Sequence, residues 1–401
     1  MLRRVHRWLG ILVAGWLAVV ALSGILLLWE DEYYAWRYPQ LPVTSSLAAP
    51  DPDVIERIVG SSSARITTLG LPTKSLPAYH VYFADGREAL YHPRTSDLVS
   101  DWGATDSLPA FLFELHAHLF LGAFGLKLVG LLGILALVNI AVGFAMWVRR
   151  RRVYRLRFFL PRDLSRPRLA RGHAAQGVLL AGLSVVILAS GIGMAYAQPT
   201  NAMLAVVFGA ADTLRPSVRS LTVHSIRTDW RKALAAIETA FPDGSLRYLT
   251  PPENPGVPIV ARVRNPGELH PNGRSYVVLR PDTGQILERI DATKTGIGPA
   301  IGNSLYPIHA GKTGWPGHRL LFALVSASLV FISMIGVYLT LSRPSALAPE
   351  TVRRGADRRP AETTVSRGPD SRSTRSRGTA DRCAPAQASA RRSSRNRDGI
   401  Y

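Results

Sequence analysis

The chain has 401 residues, with 48 Lys and Arg against 28 Asp and Glu, a formal net charge of +20. On a soluble protein that excess points to a nucleic acid or another acidic surface. Here 47% of residues are hydrophobic and only 19% are charged, where an average soluble domain has about 25% charged residues. Composition therefore excludes a soluble nucleic-acid binder and makes membrane lipid the expected surroundings. The single cysteine, Cys383, excludes a disulfide framework and a thiolate metal cluster.

Residues 8–29, WLGILVAGWLAVVALSGILLLW, carry no charge. At 1.5 Å per residue they extend about 33 Å, enough for a hydrocarbon core of about 30 Å. A signal peptide has a shorter apolar core and a small-residue cleavage site. This run ends instead in Trp29-Glu30-Asp31-Glu32 and reads as an uncleaved span. Residues 128–148, 178–197 and 320–341 are three further uncharged runs, rich in Leu, Val, Ile and Ala with scattered Gly and Ser. Small residues of that kind suit close helix–helix contact in lipid.

Lys and Arg orient the chain. The start has three Arg and no acid, residues 149–171 have ten Arg against Asp163, and the tail from Ser342 has fourteen Arg against six acids. These segments alternate with the rest and carry +3, +9 and +8, the whole of the +20. They are assigned to the cytoplasm, with both termini there.

Between the spans lie two large polar regions. Each begins with a short amphipathic helix, at Pro52-Asp53-Val54-Ile55 and after Thr228-Asp229-Trp230. Each continues in alternating, strand-like runs broken by Asp85-Gly86 or by Asn272-Gly273 and Asp282-Thr283-Gly284, which signal antiparallel hairpins. No nucleophile elbow, HExxH or phosphate loop is present. The fold expected is an α-helical membrane protein with four transmembrane helices. It comprises a first span (1–29), a first outward region (30–114), a second span with a histidine-bearing entry (115–148) and an Arg-rich cytoplasmic loop (149–172). There follow a third span (173–197), a second outward region (198–307), a fourth span with a histidine-bearing entry (308–341), and a disordered basic cytoplasmic tail (342–401).

A shift of 167 residues lays RVHRWLGILVAGWLAVVALSGI on RGHAAQGVLLAGLSVVILASGI without a gap. His6 falls on His173, Gly10 on Gly177, and Ser23-Gly24 on Ser190-Gly191. At the entries to spans two and four, Leu115-His116-Ala117 falls on Ile308-His309-Ala310. The chain thus reads as a duplicated unit, span then outward α+β domain then span, with a pseudo-twofold axis along the membrane normal.

That symmetry sorts four histidines into two pairs, His6 with His173 at the cytoplasmic side and His116 with His309 at the outer side. Each pair is the axial ligand set of a bis-histidine b-type haem, so two haems are expected. Gly10 and Gly177, one turn on from His6 and His173, leave room for a flat macrocycle. Arg3, Arg4, Arg7, Arg149 to Arg152 and Arg171 offer partners for propionates. His118 and His318 stand as alternative ligands. A structural reading of any one of these histidines, an interfacial anchor or a satisfied polar tip, stays open beside the haem reading. His80, His92, His224 and His270 lack ligand spacing and read as surface or strand residues. Each pair falls short of the three or four protein ligands a zinc site needs. Lys127 reads as a snorkelling cation and Asn139 as an interhelical bridge.

The motifs His6-Arg7-Trp8-Leu9-Gly10 with Ser23-Gly24, Leu115-His116 through Leu119-Phe120-Leu121-Gly122, and Ile308-His309-Ala310-Gly311 before Trp315-Pro316-Gly317 resemble the PepSY-associated transmembrane proteins. The resemblance covers residues 1–341 or so. The third span departs from it, with Ala174 where Arg7 stands in the first. The resemblance implies PepSY-like outward regions, a bacterial inner (cytoplasmic) membrane location with two periplasmic domains, and two b haems. It further implies electron transfer from a cytoplasmic or quinol donor to a periplasmic ferric siderophore, as in siderophore reductases of iron uptake. No dinucleotide fingerprint is present, so the donor is a separate molecule. The alternative is a non-enzymatic PepSY-type sensor, inhibitor or accessory membrane protein.

Overall fold

The computed structural model describes residues 1–42, 49–150, 159–209, 216, 227–254 and 256–342. The expectations for the tail beyond Ser342, for Arg151 and Arg152, and for His224 lie outside the described residues.

The chain opens with α1 (Leu2–Leu27) and the short α2 (Glu30–Arg37). Glu30, Asp31 and Glu32 occupy the first turn of α2, where the helix dipole favours negative charge. In α3 (Pro52–Ser61) the Asp51 carboxylate accepts from the Asp53 N–H at 2.9 Å, and Pro52 sits where no amide donor is needed. Strands β1 (Ile66–Gly70), β2 (Tyr79–Phe83), β3 (Glu88–Tyr91) and β4 (Leu98–Trp102) follow, then α4 (Leu108–Phe113), a single π-helical turn (Glu114–His118) and α5 (Gly122–Arg150). The second half runs α6 (Arg166–Leu179), α7 (Ala181–Ala195), α8 (Ala197–Phe208) and α9 (Trp230–Ala240). It continues with β5 (Ser245–Thr250), β6 (Ile259–Arg264), β7 (Ser275–Leu279), β8 (Ile286–Ile290), α10 (Ile297–His309) and α11 (Gly317–Leu341).

Helices α1, α5 and α11 are each long and apolar enough to cross a membrane. The third expected span is different. It is α6 and α7 together, bent by 64°. The break at Leu180 lies between Gly177 and Gly182, both beside open space. Glycines there remove the side chains that would hold successive turns in line. The bundle centre is formed by Val13, Leu17 and Ala21 of α1, Ala136 of α5, Leu188 of α7 and Leu329 of α11. On the outside, Leu12, Leu22, Leu131, Val185, Leu324 and Met334 are exposed. Lipid, not water, suits such a surface. Small residues set the helix spacing. A Cβ on Gly130 would fall 2.5 Å from Tyr196, and one on Gly133 would fall 3.0 Å from Ile192.

The two polar regions were expected as separate domains, but their strands form one sheet, in the order β4-β3-β2-β1-β5-β6-β7-β8. Each region supplies an antiparallel meander. The join is the β1–β5 pairing of Leu69 with Leu249 and Gly70 with Tyr248. Helices α3 and α9 cover one face. Val54, Ile55 and Ile58 from α3 and Trp230, Ala233 and Ile237 from α9 pack there with Leu69, Val81, Leu249, Ala261 and Val277. Each large side chain buried in this way contributes about 1.5–3 kcal/mol. A shared core of this kind explains the fusion, because each four-stranded half has one helix and leaves an open edge at β1 or β5.

The Asn272-Gly273 hairpin tests this construction. Gly273 has φ +67°, and a Cβ there would lie 2.1 Å from the Val263 carbonyl oxygen. Gly273→Ala should lower stability by about 1–3 kcal/mol or more through backbone strain alone, read as a reduced unfolding temperature of the detergent-solubilised protein. Gly267→Ala, at φ +91° but with nothing within 4 Å, should cost less.

Candidate functional site

Four histidines meet two by two inside the bundle. His6 on α1 and His173 on α6 have ring centroids 6.1 Å apart, with the rings inclined at 72°. His116, in the π-helical turn, and His309, at the end of α10, are 5.9 Å apart and inclined at 61°. From His6 to Val20, beside His116, α1 rises about 21 Å, which separates the two pairs along the bundle.

In every case Nδ1 faces a backbone carbonyl of a neighbouring helix. The partners are Asn139 for His6 (3.2 Å), Ile332 for His173 (2.9 Å), Val20 for His116 (2.9 Å) and Ile187 for His309 (3.0 Å). A carbonyl only accepts, so each Nδ1 carries the proton and each Nε2 is left with a free lone pair. At the His116–His309 pair Ser23 and Ser190 lie 3.2 Å from the Nδ1 of His116 and His309, and their own hydroxyls bond back to carbonyls of α1 and α7.

Each ring also lies over a glycine of a facing helix. The ideal Cβ of Gly24 would be 2.9 Å from His116 Cε1, and that of Gly191 would be 2.9 Å from His309 Cε1. For Gly143 and His6 the distance is 3.1 Å, and for Gly336 and His173 it is 3.3 Å. A Cβ at Gly24 or Gly191 would force the imidazole to shift, and one at Gly143 or Gly336 would crowd it by a few tenths of an ångström. These four glycines were not among the residues singled out from the sequence, although Ser23-Gly24 and Ser190-Gly191 stood in the internal repeat. Gly177 has nothing within 4 Å, while Gly10 has the Asn139 amide nitrogen 3.4 Å from its Cβ position. Asn139 Oδ1 is buried without a hydrogen-bond partner.

The entry to α5 is strained. Leu119 and Phe120 have φ +50° and +58°, and Gly125 passes so close that a Cβ would overlap the His118 carbonyl. Non-glycine residues in this region cost about 1–3 kcal/mol each and persist where packing over-determines them. The π turn aims His116, not His118, at His309. His118 instead pairs with Glu114 at 3.0 Å. His318 is also satisfied elsewhere, 2.7 Å from Thr313 Oγ1 and edge-on to Phe322.

Two imidazoles about 6 Å apart, each with an unprotonated Nε2, leave room for one metal ion at the roughly 2 Å bonds imidazole nitrogens make. No group of three or more His, Cys, Asp or Glu forms a metal site among the described residues. A metal held here would therefore have to bring its other ligands with it.

The remaining described histidines are in the sheet region. His80 on β2 lies 2.8 Å from Glu88 and 3.2 Å from the Tyr82 hydroxyl. His92 caps its turn, accepting from the Thr95 N–H. His270 was expected on the surface or in a strand. It is instead a turn residue only 4% exposed, stacked on Tyr306 at 5.0 Å and accepting from the Asn272 N–H at 3.2 Å. Burial, aided by Arg274, Arg262, Arg264 and Lys312, pushes its pKa down to about 2.

This is an integral membrane protein with paired, partly buried histidines at two levels of its bundle. The model of the PepSY-associated TM region matches residues 3–343, and the chain belongs to that family. No curated protein matches it.

His270 gives a pH prediction. The unfolded chain protonates this residue near 6.5, the native protein only near 2, so the unfolded state binds more protons between those values. Stability is then present above pH 6.5 and declines as pH falls below it. The unfolding temperature should drop between pH 7.5 and pH 5, and His270→Phe, which keeps the stack on Tyr306, should reduce that drop.

Proposed function

We propose that the protein is an inner-membrane b-type dihaem protein that moves electrons across a bacterial cytoplasmic membrane to reduce periplasmic ferric siderophores. The observation that carries this reading is the shared arrangement of His6, His173, His116 and His309, each with Nδ1–H held by a backbone carbonyl and Nε2 free. His6 with His173 and His116 with His309 would hold a haem at each pair, and each haem would supply a one-electron carrier. The carbonyls of Asn139, Ile332, Val20 and Ile187 fix ring orientation and raise ligand basicity, as outer partners of metal-bound imidazoles do. Gly24, Gly191, Gly143 and Gly336 give each ring its seat. Open space beside Gly177, one turn on from His173, suits a flat macrocycle.

Several observations support a duplicated unit. Val20 and Ile187, Ser23 and Ser190, and Asn139 and Ile332 occupy matching positions in the two halves, and the sheet reads β1 to β4 on one side of its centre and β5 to β8 on the other. The arginine distribution supports cytoplasmic termini and a periplasmic sheet. The electron donor is then a cytoplasmic protein or a quinol, and the outer pair lies on the acceptor side.

The test is a dithionite-reduced minus oxidised spectrum of the purified protein, with haem quantified per chain. Two b-type haems are expected. His116→Ala or His309→Ala should remove one and His6→Ala or His173→Ala the other. Gly24→Leu and Gly191→Leu should imitate the outer-pair variants without touching a ligand. A colourless protein whose four histidines tolerate substitution would overturn the reading and leave a non-enzymatic PepSY-type sensor or inhibitor.

A further inference from the structure

The sheet face opposite α3 and α9 encloses a cavity of about 390 Å³ against α2 and the connection from α10 to α11. That volume is within the usual range for small-molecule sites, about 300–1,000 Å³. Both halves contribute, through Gly70 and Tyr82 on one side and Tyr248 on the other. Gly70 gives the Tyr248 ring room, because a Cβ would lie 3.2 Å from that ring and 3.1 Å from the His80 carbonyl oxygen. Tyr306, one helical turn before His309, and Lys312, just after it, line the cavity. It therefore adjoins the outer histidine pair.

The charges lining this cavity do not balance. Arg247, Arg264 and Lys312 line it, and none of their side chains has an ion pair or hydrogen bond among the described residues. Burial, together with the neighbouring Arg264, pushes Arg247 below its ordinary value. Arg319 is already paired with Glu32. Of the two acids in the lining, Asp31 accepts a hydrogen bond from Ser75 at 2.8 Å, and burial, partly offset by Lys312, pushes the Glu30 carboxyl above its ordinary value. Despite burial, Tyr306, Asp31 and Glu30 hold the Lys312 ammonium above its ordinary value. The Arg247 and Arg264 guanidiniums have no ion-pair or hydrogen-bond partner among the described residues, and an anion that reaches them removes the cost of leaving them unpaired in a partly desolvated cavity.

We propose that this cavity is the acceptor site of the outer histidine pair and that it selects anionic, carboxylate-bearing ferric chelates over neutral or cationic ones, with Arg247, Arg264 and Lys312 as the recognising groups. Guanidinium forks match carboxylates in a bidentate way, and Lys312 adds a point charge. The proposal rests on the electron-transfer reading above.

The test uses gallium(III) citrate, a redox-inert stand-in, titrated by calorimetry into the full-length protein in phosphatidylcholine nanodiscs after its haem content has been measured. Saturable binding is expected, weaker at high salt and stronger than binding of the cationic gallium complex of deferoxamine. Lys312→Gln and Arg247→Gln should each weaken it by roughly tenfold or more, the loss typical of one charged hydrogen bond, while Lys312→Arg should retain it. Unfolding temperatures matching the parent protein establish that the variants fold. The proposal is overturned if the two chelates bind equally, if neither Gln variant weakens binding, or if added phosphatidylglycerol displaces the citrate complex, which would make the cavity a lipid-headgroup site. Absence of haem sinks the electron-transfer reading whatever the titration shows. Haem present with no preference for the anion sinks this inference alone.

Discussion

A partly buried imidazole in an apolar bundle must place its one N–H on an acceptor, because hydrocarbon offers none and an unpaired donor there costs several kcal/mol. The acceptors available in a helix interior are carbonyls already engaged in the helix ladder, each with a second lone pair to give. His6, His173, His116 and His309 all use one. That bond settles the tautomer, and the tautomer settles which nitrogen remains to do chemistry. Much of the surrounding structure serves this contact.

The ring can reach a carbonyl of the next helix only if that helix presents no side chain at the point of approach. This explains glycine at positions 24, 143, 191 and 336, each against an imidazole edge. It also accounts for the irregular entry to α5. A regular helix through residues 114–125 would carry His116 round to another face, whereas the π turn and the left-handed Leu119 and Phe120 turn it towards α1. Strain there is held by close packing of Gly125 under the turn and by the Phe111–Phe120 ring contact at 5.0 Å.

Above the bundle, fusion of two meanders into one sheet couples the halves a second time. Pairing of β1 with β5 removes two exposed edges and lets α3 and α9 share a core. Its other consequence is a polar face with Tyr82 and Tyr248 side by side over the segment that follows His309. Neither half alone would enclose that cavity.

Much was legible in the sequence for physical reasons that act locally. Spans one, two and four appear as long uncharged runs, the hairpins as Asp-Gly and Asn-Gly turns, the two amphipathic helices at Pro52 and after Thr228-Asp229-Trp230, and the four histidines as positions matched within the internal repeat. The third span was legible only as an apolar run. Its 64° bend falls between Gly177 and Gly182, two positions with no side chain to hold successive turns in line, and hydropathy does not register that. His270 was misplaced because burial of a turn histidine follows from a stack on Tyr306, a residue far along the chain. What the sequence by itself determined was membrane character, the sorting of charge and the identity of the paired histidines, since these follow from composition and repeat. Only the tertiary structure decided the tautomer of each imidazole, the glycine it rests on and the joining of two regions into one sheet. Those depend on which backbone carbonyls, small residues and strand edges come within a few ångströms of one another, and that proximity arises only once the helices pack.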